Sequence, residues 1–196
     1  MKKKKKFSLK ENYLFSWDYL GESKNYIYSM IVIFILFAIL GFFVSPPEIV
    51  SSKILNYLQE LLSKTSGFGF LDITSFIFLN NLKSSFFGIF FGIFFGIFPI
   101  ISSAGNGYIL GFVSLMSSSQ EGLFVLWRLI PHGIFELTAV FISLGMGVKL
   151  GFEIFRKDSS KMFKENLKNS LRVFLLIVLP LLFIAAIIEG ILISFF

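Results

Sequence analysis

Residues 84–96 read Ser-Ser-Phe-Phe-Gly-Ile-Phe-Phe-Gly-Ile-Phe-Phe-Gly. The stretch carries no charge, and its small residues recur every four positions, so on a helix they share one face. Small residues at that spacing form a groove in which another helix can approach closely. The pattern predicts a membrane-spanning helix in a packed bundle, with contacts either within the chain or between two copies. The predicted helix-packing residues are Ser84, Gly88, Gly92 and Gly96, followed by Gly107 and Gly111 and by Gly147 and Gly151.

The composition extends this interpretation to the whole chain. Its 196 residues are 55% hydrophobic and 15% charged, and they include 28 phenylalanines. A soluble domain of this size would carry about 25% charged residues. Apolar stretches recur from Tyr26 to Phe196, which predicts an all-α, polytopic transmembrane helix bundle rather than a soluble core with an anchor. The absence of cysteine excludes disulfides, thiolate zinc sites and cysteine nucleophiles.

Five segments are long enough to span a bilayer, which takes about 20 apolar residues each. The predicted spans are Tyr26–Val44, Ile73–Phe98, Pro99–Ser118, Ile130–Phe152 and Val173–Phe196. The turn between the second and third spans is predicted within Gly96–Pro99. Residues 26–196 thus form one transmembrane domain. Residues 1–25 are predicted to be a basic arm, either an interfacial helix or a solvated tail. Residues 48–72 are predicted to form an external amphipathic segment.

The distribution of basic residues predicts the orientation. Residues 2–6 are all lysine, and a second basic segment between the fourth and fifth spans runs from Arg156 to Arg172. With five spans the two basic segments fall on the same side, which the positive-inside rule assigns to the cytoplasm. The N-terminus is then cytoplasmic and the C-terminus external. The formal net charge of +6 is accounted for by residues flanking the spans, so we expect anionic lipid rather than nucleic acid as the partner.

A few polar residues at similar depth form the candidate site. His132 is the only histidine, and Glu136 follows it by one helical turn. Glu189 interrupts another apolar run. Ionisable groups in such surroundings usually face a bundle interior or a wet cavity. The predicted polar cluster comprises Asn81, Asn106, His132, Glu136 and Glu189, with Asn80 as the alternative to Asn81.

The cluster has three alternative roles. It can be a hydrogen-bonded group that locks helix packing, or a proton- or ion-handling site. It can also be a metal site of His132, Glu136 and Glu189, although zinc hydrolases usually supply two or three nitrogen ligands. The chain has neither an HExxH zinc motif nor a GxSxG nucleophile elbow. We therefore predict no cofactor, with a divalent metal as the alternative.

At these residues the chain resembles the stage II sporulation protein M family. The resemblance covers roughly residues 26–196, and its most specific element is Pro131-His132-Gly133 with Glu136 and Leu137. The other matching residues are Asn80-Asn81, Asn106-Gly107 and Ile184-Ala185-Ala186-Ile187-Ile188-Glu189-Gly190. The resemblance implies an integral membrane protein of prokaryotes with five or six spans and no established enzymatic activity. Its sporulation members act with a peptidoglycan-degrading partner complex.

The expected function follows from these observations together. The resemblance and the lack of nucleotide or haem motifs favour a non-enzymatic scaffold or assembly factor in the cell membrane. Its expected partners are the lipid bilayer and other membrane proteins or a second copy of the chain. The alternative is a transporter, an ion or proton conduit, or a metal-dependent membrane-embedded hydrolase that uses His132, Glu136 and Glu189.

Overall fold

The structure is a computed structural model that describes residues 8–122, 130–154 and 159–195. The side chains of residues 120–121, 130–132 and 159–160 lie outside this description. All regular elements in the described ranges are helical. They are α1 (Leu9–Phe43), α2 (Glu48–Thr65), α3 (Phe70–Phe90), α4 (Ile97–Glu121), α5 (Ile130–Glu153), α6 (Ser159–Val173) and α7 (Leu179–Phe195). A 3₁₀ turn, Phe91–Ile93, follows α3, and a π-helical segment, Phe174–Val178, joins α6 to α7.

Five of the helical segments are long and apolar enough to cross a membrane. They are Leu9–Phe43, Phe70–Ile93, Ile97–Ser119, Gly133–Glu153 and Lys161–Phe195. The prediction of an all-α polytopic bundle with five spans is therefore confirmed. The most buried of the five is the segment in α5. The other helices are arranged around it, and its Ala139, Met146 and Leu150 are fully buried.

The first helix is longer than the first predicted span. The Ser8 hydroxyl caps α1 by accepting a hydrogen bond from the Glu11 N–H at 3.4 Å. From there α1 runs for 35 residues and passes Asn25 without a break. Residues 9–25 therefore continue the first span as one helix rather than forming a separate helix on the membrane surface. Residues 1–7 lie outside the described part of the chain.

α1 and α4 run side by side in the same direction along a seam of glycines. A Cβ at Gly107 would collide with the carbonyl of Phe34, and a Cβ at Gly111 would collide with the carbonyl of Ala38. On the opposite helix, Gly41 sits in the same way against the carbonyl of Tyr108. This reciprocal arrangement allows the two backbones to approach more closely than any larger residue would permit.

α3 and α5 form a second glycine seam, again with both helices running in the same direction. Gly92 lies against the backbone of Gly147, and Gly88 lies against the Leu144 side chain. One turn further on, Gly151 faces Gly92 and Gly96. Ser84, one turn before Gly88, lines a cavity. Gly88 of α3, Gly92 of the 3₁₀ turn and Gly96 thus contact another helix of the same chain.

The last helix packs antiparallel to α3, as three pairs of aromatic rings between the two segments show. Phe70 pairs with Phe195 at 6.1 Å between ring centroids, and Phe78 pairs with Phe183 at 5.8 Å. At the other end Phe86 meets Phe174 at 5.7 Å. The spans therefore alternate in direction along the chain. We call the end that holds the start of α1, the α3–α4 turn and the start of α6 the N-terminal end.

Two boundaries differ from those predicted. The chain reverses at residues 94–96, slightly before the predicted Gly96–Pro99, because Phe95 and Gly96 both adopt positive φ angles, of 56° and 69°. The amphipathic segment predicted to reach Asp72 ends with α2 at Thr65. Asp72 lies instead in the first turn of α3, where its carboxylate accepts a hydrogen bond from the Gly69 N–H at 3.2 Å.

Candidate functional site

A partly open cavity of about 340 Å³ lies among α1, α3, α4 and α5. Its polar lining residues are Asn80, Asn81, Ser84, Ser103, Asn106 and Glu136. Its apolar lining residues include Phe34, Ile109, Leu110, Leu137, Val140, Phe141 and Leu144. Phe34 and Phe141 form an edge-to-face ring pair with centroids 5.1 Å apart. The cavity thus combines a carboxylate, carboxamides and hydroxyls with an aromatic wall.

The cavity contains part of the predicted polar cluster. Asn81, Asn106 and Glu136 line it, and so does Asn80, which the sequence offered only as an alternative. The backbone of His132 belongs to the first turn of α5, but its side chain lies outside the described residues. The relation of His132 to the cavity therefore stays a prediction.

Glu189 is not among the described residues that line the cavity. It lies on α7, next to Gly190, which packs against Thr74 near the start of α3. Thr74 precedes Asn80 by six residues, or about 9 Å along the helix. The described parts of the chain hold no group of three acidic or histidine side chains placed to bind a metal ion. The grouping of Glu189 with Glu136 at one site therefore stays a prediction.

Two of the polar residues that line the cavity are held by hydrogen bonds to backbone carbonyls. The Ser103 hydroxyl donates to the Met30 carbonyl at 2.7 Å and so ties α4 to α1. The Asn106 side chain donates to the Ser102 carbonyl at 2.9 Å, within its own helix. These bonds orient the side chains of Ser103 and Asn106.

A second polar site lies near the N-terminal end and centres on Lys149. This lysine is only 7% exposed, and its ammonium donates to the Ser23 hydroxyl at 2.9 Å. The ammonium also lies 3.8 Å from the centroid of the Tyr19 ring and 4.0 Å from the Glu22 carboxylate. A cation over an aromatic face is a stabilising arrangement, and more so away from water. These contacts join α5 to α1.

The Tyr19 hydroxyl extends the site to α6. It donates to Asn166 Oδ1 at 3.0 Å and lies 3.4 Å from the Ser170 hydroxyl. We call Tyr19, Ser23, Lys149, Asn166 and Ser170 the Lys149 network. Beside it, the Arg172 guanidinium lies 4.6 Å from the centroid of the Phe15 ring. The network holds three helices together through residues more than 120 positions apart in the chain.

The sequence interpretation missed this network. Residues 137–148 carry no charge, and Lys149 is the next residue. A lysine at the end of an apolar span, followed one turn later by Glu153, is itself an indication of a paired site. The partners on α1 and α6 are ordinary serine, tyrosine and asparagine residues, which no local pattern distinguishes.

Comparison with known proteins agrees with this architecture. The chain matches the stage II sporulation protein M family over residues 30–192, which is most of its length. It belongs to the stage II sporulation protein M family. This membership confirms the resemblance inferred from the sequence and identifies the chain as a membrane protein like stage II sporulation protein M. The matched region contains the cavity and α5, and it also includes Lys149.

One curated relative from this comparison is an uncharacterised protein of Methanocaldococcus jannaschii. It is 31% identical over 119 residues, which is 58% of this chain and 66% of the relative. The chain therefore spans about two thirds of the length of the curated relative that it matches. No solved structure matches the chain.

Proposed function

We propose that this member of the stage II sporulation protein M family is a non-enzymatic membrane scaffold. In this proposal the N-terminal end of the bundle presents a rigid helical extension to another membrane-associated protein. The observation that carries the proposal is the exposed aromatic row on α1, made by Tyr13 and Trp17, which are 46% and 50% exposed. The scaffold needs no cofactor and no nucleic acid.

The length of α1 supports an extension beyond the membrane. Its 35 residues span about 52 Å at 1.5 Å per residue. The hydrocarbon core of a bilayer is about 30 Å thick, so about 20 Å of helix remains outside it. The apolar span begins near Tyr26, and Trp17 lies about 13 Å further along the axis. That distance exceeds the headgroup layer, which is about 5–8 Å thick on each side.

The aromatic row has the chemistry of a protein-binding surface. Tyr13 and Trp17 are one turn apart and pack edge to face, with ring centroids 6.1 Å apart. Lys10 and Lys24 lie on the same flank of the helix. Tyrosine and tryptophan are the residues that most often dominate binding energy at interfaces. The expected partner is a helical protein whose surface has an apolar groove bordered by acidic side chains.

The Lys149 network supports the rigidity that a scaffold needs. It fixes the opposite face of the extension to α5 and α6. A surface held in place before binding loses less conformational entropy when the partner docks. The extension therefore presents Tyr13 and Trp17 in one orientation.

Neighbouring residues on different flanks give a matched test. Trp17 and Asp18 are both exposed, but Asp18 lies about 100° around the helix from Trp17. The tagged protein is extracted from its native membranes into polymer nanodiscs, and the mass of the particles is measured. We expect Trp17→Ser to lose a bound partner protein at least tenfold, while Asp18→Ser retains it. Equal retention of the partner by both variants contradicts the proposal. If the mass lost from the Trp17 variant is that of a second copy of the chain, the surface is an interface of a homo-oligomer and not one for another protein.

The cavity favours a second function, the binding or passage of a small polar ligand or cation. Its volume of about 340 Å³ and its carboxylate, carboxamide and hydroxyl lining support this alternative. Glu136→Gln keeps the shape and removes the charge, and Glu189→Gln is the control outside the described lining. If the cavity conducts, the Glu136 variant in proteoliposomes should lose ion or proton flux at least tenfold with unchanged thermal stability. If the wild type shows no flux and the Glu136 variant is less stable, the cavity has a structural role. If the wild type binds a metal and the Glu136 variant does not, Glu136 is a metal ligand.

A further inference from the structure

The turn between α3 and α4 lies within a wholly apolar sequence. Residues 86–101 contain no charged, hydroxyl or amide side chain, and the tetrapeptide Phe-Phe-Gly-Ile occurs three times in succession over residues 86–97. The chain reverses inside the third repeat, at residues 94–96. We call residues 91–98 the hairpin tip. A connection between two spans normally reaches water and carries polar residues.

Four backbone N–H groups of the hairpin tip donate to carbonyls within the tip. The Phe94 N–H donates to the Phe91 carbonyl at 3.1 Å, and the Phe95 N–H donates to the Ile93 carbonyl at 2.8 Å. The N–H groups of Gly96 and Ile97 donate to the carbonyls of Gly92 and Phe94, at 2.8 and 3.1 Å. Irregular backbone at membrane depth is tolerated only where it is buried in protein or lines a water-filled cavity. Gly92 and Gly96 are buried, and they lie against Gly147 and Val148 of α5, so at these residues the backbone of the tip is covered by protein.

The side chains of the hairpin tip point outward rather than into the bundle. Phe94 is 62% exposed and Ile97 is 55% exposed, and Phe95 and Phe98 are also exposed. Phe95 keeps its large side chain although its φ of 56° lies in the left-handed region that favours glycine. In water this contiguous apolar surface would be strongly unfavourable.

The connection at the opposite end of the bundle has a different composition. Between α1 and α3 the chain carries Ser45, the amphipathic α2 and Ser66. These segments provide the polar groups expected of a water-exposed connection. The apolar character of the hairpin tip is therefore a local feature and not a consequence of the overall composition.

We propose that the hairpin tip is inserted among the lipid acyl chains of the leaflet at the N-terminal end and does not emerge into water. Acyl chains are the occupant because the exposed tip is continuous with the exposed phenylalanines of α3, such as Phe87 and Phe90. A cleft of about 290 Å³ between α3 and the start of α7 adjoins the same surface. The cleft is lined by Lys83 and by the apolar residues Leu82, Phe86, Phe87, Phe174 and Leu179.

This placement changes what the N-terminal end can present to partners. The α3–α4 hairpin enters and leaves through the opposite end, and its tip contributes no polar loop. Gly92 and Gly96 hold the tip against Gly147 and Val148 of α5, so its depth is fixed by the bundle. Among the described residues, the water-exposed surface at the N-terminal end is then built by α1 and α6.

Depth measurement tests the proposal directly, and the absence of cysteine in the chain makes single labels simple. A nitroxide is attached at Phe94→Cys, with Asp18→Cys and Ser66→Cys as water-exposed controls at the two ends. In liposomes, collisions with oxygen and with a water-soluble nickel complex are compared by electron paramagnetic resonance. We expect oxygen to dominate at position 94 and nickel to dominate at both controls. Nickel access at position 94 comparable to the controls overturns the proposal.

Two further results separate lipid from other occupants. If a second copy covered the tip, the spectrum at position 94 would be dipolar-broadened and would sharpen on dilution with unlabelled protein, and this outcome would also overturn the proposal. Substitutions give an independent measure, because a charge in hydrocarbon is costly. We expect Phe94→Glu to reduce membrane-inserted protein at least tenfold, whereas Phe94→Leu and Ser66→Glu leave it unchanged. Normal insertion of Phe94→Glu contradicts the inserted tip.

Discussion

At the scale of single residues, the closest contacts in the bundle depend on the absence of a side chain. Gly92 and Gly147 meet backbone to backbone, and so do Gly107 and Phe34. Gly105, in contrast, has no neighbouring atom within 4 Å of the position where a Cβ would stand. Phe95 presents the opposite case, because a residue with a side chain occupies the left-handed region at a cost of about 1–2 kcal/mol.

These glycine environments lead to a matched prediction. Gly92→Ala should destabilise the protein by about 1–3 kcal/mol, because the added methyl group meets backbone that cannot move aside. Gly105→Ala should be neutral or slightly stabilising, since alanine favours helix over glycine by up to about 1 kcal/mol. Thermal unfolding of the two variants in the same detergent measures the difference. Equal stability of the two variants would show that the seam between α3 and α5 is not closely packed in the protein.

At the scale of helices, the sequence predicted the spans well and their partners poorly. The apolar runs and their lengths give five spans, because hydrocarbon imposes a minimum length on any helix that crosses it. The four-residue spacing of Gly88 and Gly92 also indicates which face packs, but not against which helix. The Lys149 network was missed because its members come from three helices and are polar residues of ordinary type. Glu189 was grouped with Glu136 on depth, and their meeting at one site stays a prediction.

A prediction at this scale concerns the docking of the α1 extension. Lys149→Met should weaken the attachment of residues 9–25 to α5 and α6, because hydrogen bonds to charged groups contribute about 1.5–3 kcal/mol. The amides of that segment should then exchange with deuterium about tenfold faster or more. Lys24→Met is the control, since Lys24 is an exposed lysine of the same region. Unchanged exchange in the Lys149 variant would mean that the network does not hold the extension.

At the scale of the whole molecule, the two ends of the bundle are chemically different. The N-terminal end combines the α1 extension with α6, whose lysines include Lys161, Lys164 and Lys168. The opposite end carries α2, on which the polar side chains include the exposed ion pair of Lys64 and Glu60 at 2.7 Å. We propose that the N-terminal end is cytoplasmic, on the basis of its excess of lysine.

Labelling in intact cells tests this orientation. A membrane-impermeant maleimide should react with Ser63→Cys on α2 and should not react with Lys161→Cys on α6 until the cells are opened. Both positions are exposed, so a difference in labelling reports the side of the membrane rather than burial. The reverse pattern would place the N-terminus outside, and labelling of both sites in intact cells would indicate mixed insertion.

The unbroken length of α1 has a mechanical consequence. α1 is about 52 Å long, and it packs against α4 between Met30 and Gly41. A sideways force at Trp17 would therefore tilt the whole helix. Tilting it by about 10° around its centre moves each end by about 4–5 Å, given that length. At Gly107 and Gly111 the glycine seam between α1 and α4 brings backbone against backbone, so no side chain lies between the helices there to absorb the motion. The tilt would therefore be passed to α4 and to Phe34 in the cavity wall, which links a pull at one membrane surface to the shape of a space deep inside the bilayer.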